Sequence, residues 1–184
     1  GKGKPVEPEA LQQLQFLPTG AVRSFLLHDM ALEARASATV VRWRGCEPAF
    51  CGPHLVVPHG VPRLASRIKA AFSSTDFTFE HSLRGVHAPA KDESLLRFLT
   101  CVVCSPFAMY VYFHNAANWG AERAKLQQAE FERLPFPIPG SPEQLAIIAE
   151  VARLHREMEK ALAANMLAYD QLVAEFGPRL DRML

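Results

Sequence analysis

The sequence predicts an α+β fold, with a small twisted sheet, mixed or antiparallel, a helical layer over it, and a long C-terminal helix. Three observations predict it. Short β-branched and aromatic runs, cut by Gly and Pro, fill residues 21 to 88. At Asp92 the apolar residues change to helical spacing. From Pro142 to Phe176 neither glycine nor a further proline interrupts a helical pattern. The 184 residues suit one domain with an appended element, and 49% hydrophobic against 21% charged residues supports a packed core.

In chain order, residues 1–20 read as a linker and a short helix. Pro8 opens that helix, Glu9 to Leu17 form it, and Pro18 with Gly20 close it. The lone Gly1-x-Gly3 precedes no strand and is no dinucleotide fingerprint. Residues 21–140 form the main domain. Its strands are Thr39 to Trp43, His54 to Val57, Ile68 to Phe72 and Phe77 to Val86, separated by Gly45, Gly52-Pro53, Pro58, Gly60, Pro62 and Ser73-Ser74. Ser24 to Ala38 fits a helix as well as an irregular strand. Behind an acidic first turn at Asp92, Leu95, Leu96, Leu99, Val102 and Val103 mark a buried helix. Pro106 opens a second, through Phe107, Tyr110, Val111 and Phe113 to about Ala116. A loop at Trp119-Gly120 leads to a polar helix from Gln127 to Arg133, and alternate prolines then force Leu134 to Gly140 to be extended.

Residues 141–184 read as a long coiled-coil-like helix and a tail. Ser141, Pro142 and Gln144 supply a cap, a first-turn proline and a capping box, and Gly177-Pro178 supplies a stop. The run amounts to about 50 Å of helix at 1.5 Å per residue. Its seam, Ile148, Val151, His155, Met158, Leu162, Asn165, Tyr169, Leu172 and Phe176, alternates steps of three and four, the coiled-coil period. Such a seam packs lengthwise on another helix or lies on its own domain.

The formal charge is only +1, so any nucleic-acid face must be local. Residues 21–91 carry nine Lys/Arg against five Asp/Glu, a surplus of +4, whereas residues 92–184 carry nine against twelve, −3. That asymmetry points to a reading face joined to a scaffold. No apolar run is long enough to span a bilayer, and no signal-peptide order is present, so a soluble cytoplasmic protein without membrane contact is expected. Four cysteines do not make a disulfide framework in a chain this long. Cys46 and Cys51 with Cys101 and Cys104 could supply four thiolates to zinc, but the second pair lies in an apolar helical stretch, which reads as buried free thiols. Seven histidines form no ligand motif, and no phosphate loop or paired-carboxylate motif occurs. The expectation is a non-catalytic chain without metal or cofactor.

The most specific stretch runs from Leu95 to Pro139. It holds the helix ending in Cys104-Ser105, the aromatic helix Phe107 to His114, Trp119-Gly120-Ala-Glu122-Arg123, and Leu134-Pro135-Phe136-Pro137. Upstream stand Gly52-Pro53 with Pro58-His-Gly60-Val61, and Ala71-Phe72-Ser73 with Phe77-Thr-Phe79; downstream stands Glu143-Gln144 before Ile147-Ile148. In this order the motifs resemble the C-terminal target-recognition domain of bacterial adenine-specific DNA methyltransferases of restriction-modification systems, including forms fused to a nuclease. The helix start is similar to that of type I specificity subunits. Ala124 stands where the family usually has Pro, and Pro106 departs from its helix pattern.

The resemblance implies a specificity domain for double-stranded DNA. The family's Asn-Pro-Pro-Tyr-type and Gly-rich cofactor motifs are absent, so methylation and its S-adenosylmethionine belong to a methyltransferase domain of the same polypeptide or a partner subunit. Such a module holds the duplex while the other domain extrudes the adenine. Arg42, Arg44, His59, Arg63, Arg67, Lys69 and Arg84 are then the expected DNA contacts in the basic segment, mostly to phosphates. Asn118 and Lys125 join them from the second cluster. Trp119, Gly120, Glu122 and Arg123 are expected to form a locked structural loop. The competing expectation is a protein-interaction module whose C-terminal helix pairs with another chain.

Overall fold

The computed structural model describes residues 9–34, 47–61, 66–115, 127–136, 139–164 and 168–184. In chain order the regular elements are α1 (Glu9–Gln12), β1 (Phe16–Leu17), β2 (Phe25–Leu26), β3 (His54–Pro58), β4 (Ala71–Ser73), β5 (Thr78–Phe79), β6 (Leu83–His87), α2 (Glu93–Cys104), α3 (Pro106–Asn115), α4 (Gln128–Phe131), α5 (Pro142–Ala163) and α6 (Tyr169–Asp181). The fold is α+β. Four strands pair in the order β2-β4-β3-β6, with β2 and β4 parallel and the other pairs antiparallel. A parallel pair, β1 with β5, stands apart.

The alternation of side chains along β3 divides the core. Leu55 and Val57 join Phe72 and the helical residues in the larger cluster, while Val56 faces Ala71, Phe77 and Leu83 in the smaller one. With both faces covered, every residue of β3 is buried. Over the larger face lies α2, which buries Leu96, Phe98, Cys101, Val102 and Val103. Burying a side chain of this size contributes about 1.5–3 kcal/mol, so this layer carries much of the hydrophobic stabilisation.

Two boundaries differ from expectation for tertiary reasons, and a segment left open is decided. The first helix ends at Gln12, because Phe16 and Leu17 are drawn into pairing with Thr78 and Phe79 and Leu17 is fully buried. The run from Phe77 to Val86 is two strands with different partners, separated by a turn closed from Leu83 N–H to Glu80 O at 3.0 Å. Ser24 to Ala38 resolves partly as the short strand β2, while the expected strand at 39–43 lies outside the described residues.

The C-terminal region corrects the single long helix. Ser141 and Gln144 form the expected capping box, with Gln144 N–H on Ser141 Oγ at 3.3 Å and Ser141 N–H on Gln144 Oε1 at 3.1 Å. However, α5 ends at Ala163, and α6 folds back on it. The physical reason is burial. Ile148, Val151, His155, Met158 and Leu162 cover the core, and a straight continuation would carry Leu172 and Phe176 past it. Folding back buries Leu172, Phe176 and Leu180 in the same cluster. The seam is thus satisfied within the chain, and Asn165 lies outside the described residues.

Gly177-Pro178 does not stop α6, which continues to Asp181. Pro178 and Ala174 are exposed, so the carbonyl deprived of its proline donor faces solvent. Beyond it, fully buried Leu180 and an ion pair at Asp181 anchor the last turn.

Gly52 shows where the sheet admits no side chain. A Cβ there would stand 2.1 Å from the Ser74 carbonyl oxygen, backbone against backbone, while its N–H bonds Asp76 Oδ1 at 2.8 Å. Gly52→Ala is expected to cost about 3 kcal/mol, the upper end of overpacking costs. Urea unfolding checks this, and a loss below about 1 kcal/mol would contradict the packing account.

Candidate nucleic-acid interface

The strand register decides which predicted cations meet. Val57 of β3 pairs with Arg84 of β6, and His59 N–H continues the ladder to Ser82 O at 2.9 Å. On the other side, Val56 pairs with Ala71 of β4, so two further steps bring Lys69 level with Pro58. His59 and Arg84 therefore stand on the same face of adjacent strands, whereas Lys69, two residues before the last β4 pair and flanked by Ile68 and Ala70 of the larger cluster, takes the opposite face near that end of the sheet. All three are half-buried. Lys69 has no ion-pair partner among the described residues. Arg84 lies over the Phe131 ring of α4 at 5.6 Å, and burial lowers its pKa against the opposing pull of Glu132.

Arg67 is placed differently. Its guanidinium donates to both carboxylate oxygens of Asp181, to Oδ1 at 2.8 Å, and to the Cys104 carbonyl at 2.9 Å. It also lies over the Phe25 ring at 5.5 Å. The hydrogen bonds it donates to Asp181 raise its pKa, against the opposing effect of burial. Sequence reasoning missed Asp181, which is 114 positions away and gives no local signal. Arg42, Arg44, Arg63, Asn118 and Lys125, and the loop residues Trp119, Gly120, Glu122 and Arg123, lie outside the described residues.

A buried polar relay runs between the sheet and the helical layer. Phe25 adopts φ 74°, a left-handed conformation that is strained for a bulky residue. Its N–H bonds Ala70 O at 2.7 Å and its carbonyl accepts from His155 Nε2 at 2.9 Å. Arginine can only donate, so the contact of Arg97 Nη1 to His155 Nδ1 at 3.1 Å fixes the proton on Nε2. Arg97 in turn pairs with Glu93 at 2.6 Å and Glu159 at 2.8 Å, and its guanidinium covers Phe72 at 4.0 Å. This network ties α2, α5, β2 and β4 together. His155 is a core group here.

The cysteines and the aromatic helix are also now placed. Cys101 and Cys104 are buried on α2. Cys104 Sγ donates to Ala70 O at 3.1 Å and accepts from Phe25 N–H at 3.3 Å, and burial pushes its pKa up to about 12. A thiol so placed is a poor thiolate ligand. On α3, Ala108, Met109 and Tyr112 face inward, while Phe107, Tyr110 and Phe113 are 57%, 63% and 49% exposed. His114 packs on Tyr110 at 4.3 Å and on Phe113 at 5.1 Å. The sequence shows this helix as apolar on all sides, so it contains no signal for which aromatics stay outside.

A cleft of about 150 Å³ opens where the carboxyl ends of β2 and β4 meet the end of α5, lined by Leu27, His28, Ser73, Ser74, Thr75 and Glu159. Glu159 is held by Arg97. Among the described residues no group of three or more His, Cys, Asp or Glu converges as a metal-binding set. No single described helix is long and apolar enough to cross a membrane; α2 and α3 pass that test only together and meet at 63°. Comparison with models of known protein families and with characterised proteins finds no match to this chain.

Proposed function

We propose that this chain is a sequence-specific DNA target-recognition module of a restriction-modification adenine DNA methyltransferase, working in the cytoplasm and positioning the duplex for a methylating domain outside this chain. The observation that carries the reading is the placing of His59 and Arg84 on one face of adjacent strands, with the half-buried Lys69 near the same end of the sheet. Half-buried cations at strand ends can contact phosphates while neighbouring loops read base edges. S-adenosylmethionine is assigned to the methylating domain.

The module is expected to bind duplex DNA with a preference for one short sequence over random DNA. A salt slope of about −0.9 per neutralised phosphate should correspond to only a few contacts. Lys69→Ala should reduce the slope by about one phosphate and weaken all sequences alike. A titration that is flat from low to high salt would remove the DNA reading. The exposed aromatic face of α3 favours a second reading, a protein-interaction module, in which duplex binding is absent and Phe107→Ser with Tyr110→Ser abolishes association with a partner.

A further inference from the structure

We propose that Asp181 is a positioning residue for the cationic sheet end: by gripping Arg67 it holds the segment that presents Lys69, and Arg67 aids DNA binding through this hold without touching DNA. The inference rests on reading the chain as a DNA-recognition module. Three features show that the Arg67 site is built for retention. The carboxylate meets the planar guanidinium on both oxygens, the geometry in which Arg and a carboxylate specify each other. The Cys104 carbonyl, at the C-terminal end of α2, takes a further donor. Gly177, one turn before Asp181, brings the α6 backbone into van der Waals range of the guanidinium, since a Cβ there would lie at ordinary contact distance, 3.4 Å, from Arg67 Nη2.

This clasp acts on a short lever. Arg67 is two residues from Lys69, and Ile68 and Ala70 on either side of Lys69 are fully buried in the main cluster. Ala70 O accepts bonds from Phe25 N–H and Cys104 Sγ, so this strand entry is anchored on one side by the core and on the other by α6. Without the clasp, Lys69 loses one of the two anchors that set its position at this end of the sheet. Simple electrostatics predicts the opposite effect: removing the Asp181 charge adds one positive charge near exposed Arg179 and Arg182 and should strengthen attraction to a polyanion.

Duplex affinity of the full chain therefore gives a test by sign. Asp181→Asn is expected to weaken binding about fivefold despite the gain in charge, within the range found for coupled neighbours. Arg67→Lys, which keeps the charge and loses the fork, should weaken it similarly. In a Lys69→Gln background, Asp181→Asn should cause no further loss, which general destabilisation would not reproduce. Arg67→Lys serves if Asp181→Asn fails to fold. If wild type binds duplex and both variants bind as well or better, or if the losses at Lys69 and Asp181 simply add, the positioning role is wrong. If wild type itself binds no duplex, the DNA reading falls and takes this inference with it.

Discussion

Arg97→Ala is expected to lower the unfolding free energy by about 3 to 5 kcal/mol, the cost of breaking a buried ion pair by removing one partner. Arg97 is 4% exposed, yet it is charged and lies among apolar side chains. It is tolerated because Glu93, Glu159 and His155 take its donors and the Phe72 ring lies under its face. Removing it leaves His155 Nδ1 without a donor inside the core, Glu159 without its cation, and Glu93 with only the longer contact to Arg156 at 3.5 Å. Both glutamates are about one-third exposed and can be hydrated, which places the loss toward the lower end of the range. Lysine keeps the charge but cannot satisfy three partners in one plane, so Arg97→Lys should recover only part of the stability. Urea unfolding of the two variants is decisive; a loss under about 1 kcal/mol for Arg97→Ala would refute the brace. Since whole domains are stable by about 5–15 kcal/mol, this change approaches outright unfolding.

The second large effect is on acid stability. His155 is fully buried, and burial together with the Arg97 charge lowers its pKa to about 3, from the ordinary 6.5. In the unfolded chain it protonates near 6.5, so between about pH 6.5 and 3 the unfolded state binds one proton more. Stability therefore falls with falling pH, by about 1.4 kcal/mol per unit from this group, or roughly 3 kcal/mol between pH 6.5 and 4.5. His54, buried beside Ala49 O, is shifted in the same direction by burial and adds to the slope. Glu93 acts lower in the range. Burial raises its pKa, but Arg97 and Arg156 outweigh this and hold it below the ordinary value, so its contribution is lost only as the carboxylate protonates. His155→Gln should cost stability at pH 7 but flatten the profile above pH 4.5. Unfolding free energies measured from pH 7 to 4.5 test this, and equal slopes in wild type and variant would show that His155 does not titrate on unfolding.

Legibility differed along the chain for identifiable reasons. Helix α2 was readable because its acidic first turn and apolar period are local properties, and the start of α5 because Ser141, Pro142 and Gln144 act within one turn. The same local signals at Gly177-Pro178 misled, since long-range packing of Leu180 and Asp181 outweighs a proline on an exposed helix face. For the candidate site, sequence supplied the residue types and the excess of charge between 21 and 91. It could not separate Lys69, without an ion partner among the described residues, from Arg67, two positions earlier and locked to a helix at the far end of the chain.

By itself, the sequence determined that this is an α+β chain with a central buried helix, that Cys101 and Cys104 fall on that helix, and that one face of residues 148 to 176 must be buried. Only the tertiary structure decided what buries that face: the chain's own core, reached by breaking the helix after Ala163 and folding α6 back. It also decided that His155 completes a relay from Phe25 to Arg97. The physical reason is that periodicity records that a side chain must leave water but not which surface receives it. Hydrophobic burial is non-directional, so the partner is chosen by whichever arrangement satisfies the most apolar area and buried polar groups at once.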